Sequence, residues 1–242
     1  MIKFCRDNKE KAMDFLNKIT EKVFDKRNIP GGDFYCRDTS VVARELLGKI
    51  LVAGDKDSYC GGFIVEDEAY YGLDDPASHA CNGATPRSKI MFEKPGIAYV
   101  YFCYGNHYLL NVVTEKPSVP GAVLIRAIEP VFGVGEMIKR RQVEDLERLA
   151  KGPGNLTKAL GIEKSFNGKN MTGSEDRLFI ADFDFSDLDA DDSKKEEIIK
   201  ISEKYSRIKE ISSSSRVGIK QGTELMLRFY IKGSRFVSGK HN

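Results

Sequence analysis

Apolar positions change their spacing along the chain, and each change predicts an element. Between residues 9 and 26, Ala12, Met13, Phe15, Leu16, Ile19, Val23 and Phe24 recur every three or four positions, which places them on one face of a helix. Asn28-Ile29-Pro30-Gly31-Gly32 ends it, since proline lacks an N–H and paired glycines favour a turn. A second helix is predicted after Asp38, a good N-cap residue, running through VVARELLG to Gly48.

From residue 49 the grammar is that of strands. KILVAG (49–54) and YCGGFIVEDEAY (59–70) flank the turn-forming GDKDS and predict a hairpin. Residues 73–96, rich in Asp, Ala, Ser, Asn, Gly and Pro, predict a long ordered loop with one helical turn; loops of that length inside a domain usually carry function. IAYVYFC (97–103), HYLLNVVT (107–114) and AVLIRAI (122–128) predict three more strands, and their β-branched and aromatic content suits a central or curled sheet. Residues 134–150 are helix-compatible, and GPGNLTKALGI predicts a turn and a short helix. SSSS (212–215) reads as a loop and MLRFYI (226–231) as a last strand. No linker divides the chain.

Composition narrows the class. With 242 residues and 41% apolar content, the chain can bury a core without a metal or disulfide staple. Lys and Arg total 38 against 36 Asp and Glu, and a net charge of +2 neither requires nor excludes a nucleic-acid partner. The charge is uneven: residues 182–197 hold eight acids and two lysines, a solvated stretch by this reading. Five cysteines, Cys5, Cys36, Cys60, Cys81 and Cys103, form no CxxC pair and predict reduced thiols. MIKFCRDNKEKAMDF lacks the apolar core of a secretion signal, and no run approaches 18 apolar residues, so a cytoplasmic, membrane-free protein is expected.

The densest polar cluster is VEDEAYYG. Strand periodicity puts Glu66, Glu68 and Tyr70 on one face and Asp67, Ala69 and Tyr71 on the other. Two carboxyls and a phenol on one face can build a wet pocket where burial lifts a glutamate toward the range of a general base; an exposed strand end is the plainer alternative. His79 suits recognition of a heterocycle edge or a phosphate, and equally a structural role; His107 shares the ambiguity, and His241 is read as uninvolved. His79 and Cys81 lack the further ligands of a metal site, and there is no Walker A, GxGxxG or GxSxG element, so no cofactor is expected. In YVYFCYGNHYLLN, a tyrosine ahead of Gly105 can present a flat ring at a protruding turn, while Tyr99, Phe102 and Leu109 fit an aromatic core strand. Arg87, Lys89, Lys94, Arg126, Arg216, Lys220 and Arg228 make a phosphate-binding surface only if the fold gathers them.

The succession RELLGK, IVEDEAYYGLDDPASHA, GATPRSKIMFEKPGIAYVYFCYGNHYLLNVV, GAVLIRAIEP, GPGNLTKALGI, SRVGI and LRFYIKGSRFVS resembles the alkyladenine, or 3-methyladenine, DNA glycosylase family over most of residues 33–239. The resemblance implies a mixed α/β (α+β) single domain with a curved antiparallel sheet and peripheral helices. It implies that a damaged purine is flipped from double-stranded DNA and its N-glycosidic bond hydrolysed without strand cleavage, by a monomer in the cytoplasm, or in the nucleus of a eukaryote. Carried over by motif, Glu68 matches the general base, Tyr70, His79 and Tyr101 the groups holding the base, and Asn111 the pocket asparagine. Arg126 matches an arginine near the pocket, and Tyr104 the residue entering the duplex gap. Asn106 departs from the methionine common at its position. Arg87, Arg126 and Arg216 are expected to border the DNA face, Glu66 stands as the alternative carboxylate, and the helix at 9–26 and the acidic segment at 182–210 read as additions to the family pattern. Two other classes stay open: a binding-only protein of this fold, and a hydrolase of soluble glycosides or nucleosides using Glu66 and Glu68.

Overall fold

The computed structural model of the protein describes residues 25–54, 58–103, 105–182 and 210–239. The helix expected at 9–26 lies outside them but for its last two positions, and the acidic segment but for Asp182 and Glu210. A single turn, α1 (Gly32–Tyr35), precedes α2 (Thr39–Leu46). The Asp38 carboxylate accepts from the Ser40 and Val41 N–H groups, so it caps α2 as its sequence position predicts. Val42, Ala43 and Leu46 turn inward; the helix ends at Leu46, two residues short of Gly48, whose φ of 86° lies in the region that favours glycine and turns the chain toward the first strand.

Among the described residues eight antiparallel strands form one curved sheet: β1 (Ile50–Gly54), β2 (Tyr59–Tyr70), β3 (Ala98–Cys103), β4 (His107–Val113), β5 (Ala122–Phe132), β6 (Leu178–Ala181), β7 (Ile211–Ser214) and β8 (Arg228–Ile231). Their order is β3-β4-β5-β2-β1-β6, with β8 also on β2 and β7 on β8. Strand β2 is the hub. Along one edge it pairs with β5; along the other, β1 opposes Tyr59–Phe63 and β8 opposes Glu66–Glu68. Opposite β5 the ladder slips and recovers: Ile64 faces Ile128, Glu66 faces Ala127 and Asp67 faces Ile125, so Val65 and Arg126 fall out of register. Such bulges bend a sheet and re-aim side chains beside functional sites.

Two strand expectations are corrected. SSSS is not a loop: Ile211–Ser214 pair with β8, and neighbouring backbone rather than side-chain propensity decides their conformation. Strand β6, not foreseen, is a four-residue apolar run paired with β1. Helices α3 (Val134–Arg141), α4 (Leu146–Leu149) and α5 (Pro153–Leu160) follow β5. Leu156, Ala159 and Leu160 of α5 join Leu110, Val112, Val123 and Ile125 in the main core on one sheet face. On the other face a smaller cluster of Ala80, Met91, Ile97, Tyr99, Val113 and Ala122 seats the long loop, with its 3-10 turn at Lys89–Phe92. Burying a large apolar side chain contributes roughly 1.5–3 kcal/mol, so this loop is an ordered wall rather than a flap.

Candidate active site

On the face that the loop covers, alternation sets one row of side chains across four strands: Glu68 opposes Leu124, Leu124 opposes Asn111, and Asn111 opposes Tyr99. A cavity of about 340 Å³ opens along this row, lined by Tyr70, His79, Tyr99, Tyr101, Asn111 and Arg126 and closed by Pro153 and Val217-Gly218-Ile219. The fold thus brings together Tyr70, His79, Tyr101, Asn111 and Arg126, which lie as far apart as 56 positions in the chain.

Glu68 lies directly behind this lining and is screened from solvent. Its Oε1 accepts from the Val217 N–H at 2.7 Å and faces Arg126 Nη1 at 3.2 Å; its Oε2 accepts from the Tyr70 hydroxyl at 2.8 Å. All three partners line the cavity. Burial raises the Glu68 pKa above the ordinary glutamate range, against the opposing effects of Arg126 and the two hydrogen bonds. The Tyr70 hydroxyl is pushed up too, by burial first and then by Glu68, so it donates and does not ionise.

The aromatic wall is tightly coupled. His79 Nδ1 lies 2.8 Å from the Tyr99 hydroxyl, the His79 ring meets Tyr101 edge-on at 4.7 Å, and Tyr99 and Tyr101 are 5.1 Å apart. Burial, with Arg87 adding to it, lowers the His79 pKa to about 4, so the imidazole is neutral at neutral pH. The Asn111 side-chain amide donates to the Tyr99 carbonyl at 3.0 Å. The Arg87 guanidinium lies over the Tyr101 ring, 4.7 Å from its centroid, on an otherwise exposed residue.

Arg126 and Arg216 do not border an open face. Arg126 is 6% exposed and engaged by Glu66, Glu68 and Ser238. Arg216 is 4% exposed: its guanidinium donates to both Asp75 oxygens, at 2.5 and 2.6 Å, and to the Ala69 carbonyl, and lies 4.5 Å from the Tyr70 ring centroid. A guanidinium held in a buried ion pair leaves it only by stranding a charge, so in this structure Arg216 serves as a support beneath Tyr70. Tyr104 lies outside the described residues. Beside it Gly105 has a φ of 71°, and Asn106 is exposed at the β3–β4 turn.

Sequence reasoning missed Tyr99, Asp75 and Val217. Tyr99 shares a strand face with Tyr101, so period-two alternation could have found it. Val217 acts through its backbone, and Asp75 through a partner 141 residues away; neither leaves a local signal. Phe102, expected in the core, is 52% exposed on the opposite side of β3 from Tyr101, packed only against Tyr108 among the rings described.

Among the described residues no group of three His, Cys, Asp or Glu side chains could hold a metal ion, and no helix is long and apolar enough to cross a membrane. The chain is similar to proteins from Koribacter versatilis (40% identical over 210 residues, 86% of this chain and 91% of the relative) and Chlorobium phaeobacteroides (42% over 211 residues, 87% and 95%). A third, from Clostridium perfringens, is 40% identical over 222 residues, covering 87% and 98%. Each is provisionally named a 3-methyladenine DNA glycosylase. A family model described as methylpurine-DNA glycosylase matches residues 33–235. With that match spanning the sheet, the long loop and the segment that closes the cavity, the chain belongs to the methylpurine-DNA glycosylase family.

Proposed function

We propose that this chain is a monofunctional DNA glycosylase. It turns an alkylated purine nucleotide out of duplex DNA, seats the base among Tyr70, His79 and Tyr101, and hydrolyses the N-glycosidic bond without cutting the strand. The observation that carries the reading is the placement of Glu68, a raised carboxyl behind an aromatic cavity and bonded to three groups that line it.

A base in a duplex hides its glycosidic bond, so extrusion comes first and costs several kcal/mol of unpairing and unstacking, less at a damaged pair. Tyr104 and Asn106, the sequence neighbours of Gly105, are the residues assigned to the gap that the nucleotide leaves. Within the cavity, a base made cationic by alkylation gains roughly 0.5–2 kcal/mol from each electron-rich ring face on which it stacks. Neutral His79 supplies one ring nitrogen to a base edge while Tyr99 engages the other. Asn111 is placed to discriminate among purines.

Water attacks C1′ as the C1′–N bond breaks. Glu68 takes the proton from that water, and the purine departs with the bonding pair. Alkylation already supplies the charge that makes the base a good leaving group. Since the carboxyl is screened from solvent behind Tyr70, Val217 and Arg126, one of these partners has to yield as the nucleotide is seated for the water to meet it.

Glu68→Gln is expected to slow single-turnover base release from a duplex bearing one 3-methyladenine by about 10²–10⁴-fold, with binding of that duplex retained. Release at the native rate in E68Q, or equal activity on a free alkylated nucleoside, would sink the reading.

A further inference from the structure

Glu66 takes no part in the chemistry above, yet four hydrogen bonds converge on its fully buried carboxyl. Oε1 accepts from Arg126 Nε at 2.7 Å, Arg228 Nε at 2.8 Å and Ser238 Oγ at 2.9 Å; Oε2 accepts from the Ser238 N–H at 2.5 Å. Ser238 Oγ also accepts from Arg126 Nη2 at 3.1 Å, and the Ser238 carbonyl accepts from Arg228 Nη2 at 2.5 Å.

A guanidinium is a rigid plane with donors in fixed directions. Once Nε is held by Glu66 and Nη2 by Ser238, the position of Nη1 is set, and Nη1 is the nitrogen that lies 3.2 Å from Glu68 Oε1. Two guanidinium groups face the two carboxyls: Glu66 meets both Arg126 and Arg228, and Arg126 reaches Glu68 as well, so Arg228 shares the neutralisation of Glu66 while Arg126 spans the pair.

We propose that Glu66 and Ser238 are positioning residues that fix the plane of Arg126 so that its free nitrogen bears on the carboxyl of Glu68. The proposal deepens the glycosylase reading and rests on Glu68 being its base. Neither residue touches substrate; both act through Arg126. Burial works to protonate Glu68 and Arg126 works against it, so any slackening of Arg126 moves the working range of the base upward in pH.

Ser238→Ala gives the sharpest test, because it deletes one hydroxyl and keeps the N–H bond to Glu66 Oε2. Single-turnover release of 3-methyladenine from methylated duplex DNA is measured across pH for the full wild-type chain, S238A, S238T and E66Q. In parallel, 13C NMR follows titration of the Glu68 carboxyl without depending on turnover. In S238A the acidic limb of the rate profile and the Glu68 titration should both move upward by roughly one unit, about tenfold in rate on that limb. S238T, which keeps the hydroxyl, should restore both, and E66Q should shift them further. A slower S238A with an unmoved limb and an unmoved Glu68 titration would show that these residues are only structural and would overturn the proposal. Absence of base release by the wild-type chain would instead refute the glycosylase reading, with the NMR titration still deciding whether Ser238 acts on Glu68. If E66Q does not fold, the S238A and S238T pair decides the matter alone.

Discussion

Asp67 stands between the two glutamates in sequence but turns to the opposite side of β2. There it is fully buried, opposite Ile125 and Phe229, and neither oxygen meets a hydrogen-bond partner among the described residues. Burial raises its pKa well above the ordinary aspartate value, the charges of Glu66 and Glu68 add to this, and Arg44 opposes it. The folded chain therefore keeps a proton that the unfolded chain has released above about pH 4. Stability must then fall as pH rises, by about 1.4 kcal/mol per unit for as long as Asp67 stays protonated. Asp67→Asn has nearly the same shape and cannot ionise, so the difference between the two proteins isolates this effect. Over each pH unit in which Asp67 stays protonated, the wild type should lose about 1.4 kcal/mol relative to D67N. For a domain of this size that is roughly 3–6 °C in melting temperature per unit. Thermal unfolding of both proteins by circular dichroism, at intervals between pH 4 and pH 8, gives the difference curve directly. A flat curve, or a wild type that gains on D67N as pH rises, would show that Asp67 is ionised and paired, and the reasoning would be wrong.

The His79 ring resonances should titrate with a midpoint of about 4, and its contribution to stability is lost as pH falls from about 6.5 toward that value, because the unfolded chain takes up the proton first; an NMR midpoint near 6.5 would contradict a buried neutral imidazole. Removing either partner of the Arg216–Asp75 pair alone, as in R216M or D75L, should cost about 3–5 kcal/mol in urea denaturation, while the double variant recovers part of the loss. Costs that simply add would mean that the two residues do not act as a pair. Arg87→Ala should weaken binding to damaged and undamaged duplex alike and reduce the salt slope by about one; a loss confined to damaged DNA, with the slope unchanged, would place Arg87 on the Tyr101 ring alone.

The face of β2 that bears Glu68 and Tyr70 is legible in the sequence because side-chain alternation is local and strong over YCGGFIVEDEAY. The ordered loop was legible too, from its length and turn-rich composition. What escaped depends on partners that no local pattern encodes. Arg126 and Arg216 carry the same side chain as any solvated arginine, and only Glu66 and Asp75, 60 and 141 residues away, decide that they are buried. Ser212 and Ser213 become strand because β8 lies beside them. Val217 contributes a peptide N–H that any non-proline residue at its position would possess. The family resemblance supplied Asn111 and Arg126 as site residues, but not the routes through Glu66 and Ser238 that hold Arg126 in place.

Those routes have a consequence for the order in which the molecule assembles. The bond from Val217 to Glu68 closes a separation of 149 residues, and that from Ser238 to Glu66 one of 172. Closures of that span are slow to nucleate compared with neighbouring hairpins, because much chain entropy is lost before the contact forms. The β3–β4 ribbon with Tyr101 and Asn111 joins residues close in sequence and has no need to wait for them. In refolding, the β3–β4 ribbon with Tyr101 and Asn111 is therefore expected to form before Val217 closes on Glu68 and Ser238 on Glu66, so the bracing of the two carboxyls is among the last steps of assembly.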